Sequence, residues 1–424
     1  MFRRLAARVA SVGVTRSSSS RLAFGAGLLA ATTGGVSYYA NSDREGFPAF
    51  AGFMGTRMAL TAKDHYVESH AKDHKADIYV RTADDNSFAV FTGNANEHLA
   101  REVAMILNMQ LGRASVGRFA DGEVHIKVLD NVRWKDTYVI QSLSPPVNES
   151  LMELLLLVTT LRRASARSIT AIIPYFGYSR HSRTPPALEN ADDKGKRPVA
   201  AADVAKLLTV AGVDRVVFVD VHHAQITGFF GRTPVDDLEV SGIAARYFRL
   251  KHLRSPVVVA PDHDAVQRAK RFRDTLIANG HQDASLAIVV DQRRKGSPTD
   301  AADYDKDFDL VGDVAGKDCI IRDDIIESAQ RVVHAAEKLK RAGANRVYAF
   351  TTHPLLTDSA FEAIEDCSSL VEVVCCNTVP LKKMSDKVRE LSVGALLAET
   401  IRRINQNESV TAMFAETKKA EGTS

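Results

Sequence analysis

The chain has 424 residues, 45% hydrophobic and 25% charged, too long for one ordinary domain and suited to a globular enzyme of two domains with extensions. Its net charge of +3 is uneven: residues 1–42 carry Arg3, Arg4, Arg8, Arg16 and Arg21 and no acid, which leaves the rest slightly acidic and excludes nucleic-acid binding by bulk charge. Cys319, Cys367, Cys375 and Cys376 show neither metal-ligand spacing nor a disulfide framework, so a reducing compartment is expected, with Cys375 and Cys376 in a buried strand.

Met1 to Arg21 is rich in Arg, Ser and Ala, the composition of a mitochondrial presequence. Leu22 to Ala40 is uncharged and long enough to span a bilayer, although four glycines and two threonines make it only moderately apolar. It reads as a continuation of the presequence, with membrane association through 22–40 as the other reading. Residues 43–87 read as a charged linker; His70 and His74 lie one helical turn apart there, without a third ligand.

Regular patterning begins at Phe88. FAVFTG predicts a strand, Glu97 to Leu111 a helix, GRFADGEVHIKV a turn and a strand, and YVIQSL a strand. Leu151 to Arg162 is a strongly apolar helix whose LMELLLLV run calls for a partner surface. SITAIIPYFGYSR predicts a buried strand ending in an aromatic and basic loop, and Thr184 to Pro198 a polar insertion with three prolines. A helix over Val199 to Val210 leads to the strand RVVFVDVHH. The second half repeats the theme: PVVVAPDHD, a basic helix to Ala278, SLAIVVDQRRKG running into a basic loop, a helix to Ala342, RVYAFTTH, VEVVCCN, and a last helix over Ser392 to Asn405. Alternating short strands and helices predict two α/β domains with parallel sheets.

The chain is organised around KDCIIRDDIIESAQR, Lys317 to Arg331. The expected layout is a strand, two acids at its end, a loop, and a helix starting near Ser328. Open parallel sheets bind ligands at the carboxyl ends of their strands, and a helix N-terminus favours phosphate. Asp323 and Asp324 can hold ribose hydroxyls or a hydrated Mg²⁺. Three further strand ends carry Arg180–His181, Asp220–His222–His223 and Asp262–His263–Asp264, and together they can line one cleft. Arg293, Arg294 and Lys295 occupy a loop that can close over polyphosphate. There is no Walker motif and no kinase glycine-rich loop, so nucleotide chemistry needs another framework.

RFADGEV, QSLSPPVNESLMELLLLV, IIPYFGYSR, DVHHAQITGFF, APDH, DDII, THPLL and LSVGALLAETIRRI occur in the order in which ribose-phosphate diphosphokinases (PRPP synthetases) carry their matching segments. From about Phe88 to Phe414 the chain therefore resembles that family. The resemblance implies two phosphoribosyltransferase-type, Rossmann-like domains, over residues 88–232 and 233–414, with a tail at 415–424. It implies transfer of diphosphate from ATP to ribose 5-phosphate with Mg²⁺, and assembly as a homo-oligomer or with homologous subunits.

By position, the resemblance assigns Phe119, Asp121, Glu123, Arg180 and His181 to ATP, with the Phe119–Glu123 segment supplied across a subunit interface. It assigns His222 and Asp262 to metal, Asp323 and Asp324 to the ribose hydroxyls, and Arg294 and Gln292 to the catalytic loop. The sugar phosphate falls to Glu327, Ser328, Ala329, Gln330 and Arg331.

Several positions depart from the family pattern. Gln292 stands where the family has Lys. ESAQR replaces D-T-[AC]-G-T, so that Gln330 takes the glycine's place, where a positive φ is expected, and Arg331 the threonine's. His181 replaces Gln, and Asp264 and Ala265 replace glycines. A PRPP synthetase is the first reading. A catalytically impaired regulatory subunit that assembles with active homologues is the second. A phosphoribosyltransferase that consumes PRPP fits the RFADGEV segment less well.

Overall fold

The computed structural model describes residues 88–181, 198–291 and 308–414. Residues 1–87, most of the 184–198 insertion, the loop carrying Gln292 and Arg294, and the 415–424 tail lie outside the described residues, as do the expectations that fall on them. No helix among the described residues is long and apolar enough to cross a membrane.

The first sheet has the order β1-β4-β5-β6-β7 and is parallel throughout: β1 (Phe88–Thr92), β4 (Asp136–Ile140), β5 (Ser168–Ile173), β6 (Arg215–Val219) and β7 (Val235–Leu238). β7 carries this sheet past residue 232, where the resemblance places the division between domains. β2 (Ala114–Arg118) and β3 (Val124–Val128) form a separate antiparallel hairpin.

The second sheet has the order β10-β9-β8-β11-β12-β13-β14: β8 (Val257–Ala260), β9 (Ser285–Asp291), β10 (Phe308–Val311), β11 (Cys319–Ile326), β12 (Val347–Pro354), β13 (Glu372–Cys376) and β14 (Val388–Leu391). It is parallel except for the antiparallel edge strand β10. Cys375 and Cys376 are buried in β13, as their apolar run predicts. The two acids of the organising stretch do not end their strand. β11 runs on through Asp323 and Asp324 to Ile326, because β12 continues to pair with it as far as Pro354.

Both faces of each sheet are covered, which is why the strands read as near-continuous apolar runs. Along β6, Val216 and Phe218 face one core, shared with α2 (Val147–Arg163) and α3 (Ala200–Ala211). Val217 and Val219 face another, the two-residue period of a strand. That second core also takes in Ile320, Tyr348 and Phe350 of the other sheet, so the two sheets share one apolar cluster. Cys319 and Ile321 of β11 face away from it, against α6 (Gln330–Arg341) and α7 (Asp358–Asp366).

The LMELLLLV run is absorbed by the chain itself. Leu151, Leu154, Leu157, Val158 and Leu161 of α2 bury one helical face in the first sheet's core, each fully buried side chain contributing roughly 1.5–3 kcal/mol. The run does not by itself require a partner surface.

α1 (Glu97–Ile106) packs on α8 (Gly394–Asn405), joining the beginning and end of the described chain. Buried Glu102 accepts from the Ser392 hydroxyl at 2.5 Å and from Asn377 Nδ2 at 3.2 Å; burial pushes its carboxyl above the usual range. A Cβ at Gly394 would lie 2.6 Å from Glu102 Cδ, so the close approach of α8 requires glycine there. The helix α4 (Ser241–Arg249), between the sheets in sequence, packs on α5 (Val266–Ala278).

Candidate functional site

A cavity of about 380 Å³ opens where strands from both sheets end. The turn after β6 brings His222 and His223, the turn after β8 brings Asp262 and Asp264, and β11 brings Asp323 and Asp324. The loop entering α6 brings Glu327, Ser328 and Ala329, and Arg180 reaches in from beyond β5. Four strand ends singled out by their polar residues thus meet at one place, in the position where open α/β sheets hold ligands. Of the sequence-assigned residues, Arg180, His222, Asp262, Asp323, Asp324, Glu327, Ser328, Ala329 and Arg331 line it.

Asp323 and Asp324 are 3% and 2% exposed, in the middle of a sheet, where charge is costly unless it is paired. Each is paired, with different partners. Asp324 Oδ2 lies 2.5 Å from His222 Nδ1 and 3.1 Å from Arg268 Nη2. Burial works against the Asp324 charge, but His222 and Arg268 outweigh it and hold the carboxyl well below the usual range. Asp324 is therefore an acceptor, and His222 donates to it through Nδ1–H. Asp323 Oδ1 accepts from the Asp324 amide at 2.9 Å, and its Oδ2 from Arg331 Nη2 at 2.7 Å. Burial pushes Asp323 up to about 7, with Arg331 opposing and Asp324 adding to the rise. Adjacent carboxylates driven apart in this way can divide their work at neutral pH, one staying an anion while the other exchanges a proton or a hydrogen bond.

Arg331 also donates through Nη1 to Asp262 Oδ2 at 2.6 Å, while Asp262 Oδ1 accepts from the Ala265 amide at 2.8 Å. One guanidinium thus joins the end of β8 to β11. Arg180 Nη1 donates to Glu327 Oε2 at 2.6 Å and ties the first sheet's loop to the loop before α6; both side chains are half exposed, so this bridge contributes little to stability.

The loop before α6 turns at a different residue from the one expected. Gln330 is the first helical residue, and Ala329 takes the left-handed conformation at φ 61°. A residue with a Cβ pays about 1–2 kcal/mol there. The helix starts at Gln330 with ordinary geometry, so the bend falls one residue earlier. The loop backbone still leads to the α6 N-terminus, whose first-turn N–H groups favour an anion.

Phe119, Asp121 and Glu123 form the exposed tip of the β2–β3 hairpin and do not line the cavity. The tip is closed by the Phe119 amide donating to the Glu123 carbonyl at 2.9 Å and the Glu123 amide to Asp121 Oδ1 at 3.0 Å. His181 ends a short turn, and its side chain lies outside the described residues.

The assignment of metal to His222 and Asp262 does not fit a resident Mg²⁺. Mg²⁺ requires oxygen ligands in octahedral array, and here Asp262 and Asp323 share Arg331 while Asp324 is bonded to His222 and Arg268. Among the described residues no group of three His, Cys, Asp or Glu is placed to hold a metal ion.

Sequence reasoning missed two residues. Arg268, on the cavity side of α5, is one of several basic residues in VQRAKRFRD, and nothing in that string marks it out. Arg322 is 1% exposed inside β11 and reaches across to the first sheet. It donates to Asp220 Oδ2 at 2.8 Å and Thr352 Oγ1 at 3.0 Å, and lies 4.4 Å over the Phe350 ring. An arginine inside an apolar strand, directly before two acids, was the available signal. Asp220, grouped by sequence with the cavity residues, belongs to this buried bridge instead.

Residues 88–212 match the N-terminal domain of ribose phosphate pyrophosphokinase, and residues 284–415 match the phosphoribosyl synthetase-associated domain. Ribose-phosphate pyrophosphokinase of Wolinella succinogenes is 41% identical over 77% of this chain and 99% of its own length. That of Bordetella parapertussis is 43% identical over 77% of this chain and all of its own. Among solved structures, phosphoribosylpyrophosphate synthetase from Mycobacterium smegmatis superposes with a TM-score of 0.67 at 33% identity, covering 76% of this chain and 100% of that one.

Proposed function

Because the chain belongs to the ribose-phosphate pyrophosphokinase family, we propose that its cavity transfers the diphosphoryl group of ATP to ribose 5-phosphate. The anomeric hydroxyl oxygen attacks the β-phosphorus. The bond from that phosphorus to the α,β-bridging oxygen breaks, AMP leaves with the electron pair, and the attacking hydroxyl gives up its proton. The product, 5-phosphoribosyl diphosphate, is a precursor for nucleotide biosynthesis.

The observation that carries this reading is the meeting of the acid pair, the α6 N-terminus and Arg180 in one cavity between the sheets. The sugar phosphate sits at the loop from Glu327 to Gln330, against the first-turn N–H groups of α6. Asp323 and Asp324 accept from ribose hydroxyls. Arg180 faces the polyphosphate, where fixed positive charge is worth most as charge develops. Mg²⁺ enters with ATP, as part of the substrate. The Phe119–Glu123 tip is exposed and away from the cavity, which supports its use in a neighbouring subunit's adenine site and hence an oligomer, of this chain alone or with homologous subunits. Residues 1–42 supply mitochondrial targeting, and a reporter fused to them tests this by its location.

The experiment is ³¹P NMR of full-length protein with ATP, Mg²⁺ and ribose 5-phosphate. Phosphorus signals of AMP and of a sugar diphosphate are expected to rise together. ADP in place of AMP would refute diphosphoryl transfer. One observation favours a second reading, a regulatory subunit assembling with active homologues: Arg331 and Arg180 already engage the acids and Glu327. Under that reading neither signal appears, and the chain co-purifies with an active homologue.

A further inference from the structure

We propose that Arg331 is the resident cation of this cavity, occupying the place between Asp262 and Asp323 that a divalent metal ion would otherwise take. Two carboxylates from different strands converge there, one from the turn after β8 and one from within β11. The guanidinium spans them with one nitrogen each, at 2.6 and 2.7 Å. The other oxygen of each acid is taken by a backbone amide, Ala265 for Asp262 and Asp324 for Asp323. The guanidinium thus meets the one oxygen of each acid that a bridging ion would take, and a metal ion there would have to displace it.

The placement is built into the fold. Arg331 is the second residue of α6, held by the turn at Ala329 and by Val332 and Ala335 buried beneath the helix. Its planar fork matches two separate carboxylate oxygens in a way a lysine's point charge would not. Among the described residues the cavity is lined by five carboxylates, Asp262, Asp264, Asp323, Asp324 and Glu327, against three arginines. Without Arg331 the acid side would carry an uncompensated charge and would draw in a divalent ion; with it, the charge is met by a covalently attached group. An attached cation cannot be removed by a chelator and cannot be exchanged for another metal.

This inference rests on the cavity being the ligand site of the proposed function, but its test does not depend on turnover. Mn²⁺ binding to the full-length protein without nucleotide, followed by electron paramagnetic resonance, is compared in wild type, Asp323→Asn, Arg331→Ala and Arg331→Lys. The wild-type isotherm should superimpose on that of Asp323→Asn, because no ion is bound at these acids to lose. Arg331→Ala should gain one Mn²⁺ site at least about 100-fold tighter than wild type, since the opposing charge is gone. The added substitution Asp323→Asn should abolish that site, and Arg331→Lys, which keeps the charge, should not create it. A wild-type Mn²⁺ site that Asp323→Asn removes would overturn the proposal, and so would a folded Arg331→Ala that gains none. Should Arg331→Ala fail to fold, the comparison of wild type with Asp323→Asn decides by itself. AMP formation by a wild type that does hold Mn²⁺ at these acids would sink this inference and leave the proposed function standing.

Discussion

Buried aspartates stand just before β11 and within it, and their surroundings differ in kind. Asp318, just before the strand, is 0% exposed. Arg346 donates to it at 2.6 and 3.1 Å, the Arg254 amide at 2.7 Å and Asn345 Nδ2 at 2.8 Å. Burial opposes its charge, but these donors outweigh burial and hold the carboxyl below its usual range. Within the strand, Asp323 takes one local amide and one arginine, is pushed up to about 7, and borders a cavity. The first acid fastens three chain segments together. The second is held by its neighbour's amide and by one arginine of another element, in a place a ligand can reach. Burial alone does not tell a fastening carboxylate from a working one; the number and origin of its donors, and what it borders, do.

The largest loss of stability is expected at Asp318. Asp318→Ala strands the donors of Arg254, Asn345 and Arg346, and should lower the unfolding free energy by about 3–5 kcal/mol in urea titrations. An unchanged midpoint would mean that these bonds contribute no more than water does. Beside Asp323, Arg322→Leu leaves the partly buried Asp220 with the Thr352 hydroxyl but without its ion-pair partner, and a loss of about 3 kcal/mol is expected in the same titration.

The arrangement was partly legible before the structure. The alternating strands, the buried Cys375 and Cys376, and the gathering of polar strand ends follow from residue type and spacing, because both are local properties. Arg322 was not legible, since its partner Asp220 is far away in sequence on another sheet. The left-handed turn at Ala329 was displaced by one residue, because where a helix starts depends on packing beneath it more than on the residue at the bend. The resemblance makes Arg331 a phosphate contact; that it instead spans Asp262 and Asp323 depends on how β8 and β11 lie side by side in the second sheet.

Acid titration separates buried groups by the direction in which burial and partners move them. His353, on β12 beside the cavity end of β11, is 2% exposed and donates through Nε2 to the Asp220 carbonyl at 3.2 Å. Burial pushes its imidazole down to about 4. The unfolded chain then takes up a proton near its ordinary value of about 6.5 while the folded chain does not. Stability from this group is complete above about pH 6.5 and is lost as pH falls toward 4, by roughly 2–3 kcal/mol. Asp318, with a lowered folded value, should lose its contribution only below about pH 4. Urea titrations of wild type and His353→Asn should therefore differ by an amount that shifts in favour of His353→Asn by roughly 2–3 kcal/mol between pH 6.5 and 4; a difference that stays constant with pH would contradict the assignment. The smallest effect belongs to the surface: Glu97→Ala breaks the exposed one-turn pair with Arg101 and should cost about 0.3–0.5 kcal/mol by the same titration.

The distinction between the two aspartates is tested most directly by activity. AMP formation from ATP, with and without ribose 5-phosphate, is measured at equal concentrations of folded wild type, Asp318→Ala and Asp323→Asn. The predicted result is sugar-dependent AMP release that Asp318→Ala retains per folded molecule and Asp323→Asn loses by about 10²–10³-fold, the worth of one group stabilising the transition state. Sugar-dependent turnover in Asp323→Asn at the wild-type rate would contradict this and place the chemistry away from Asp323.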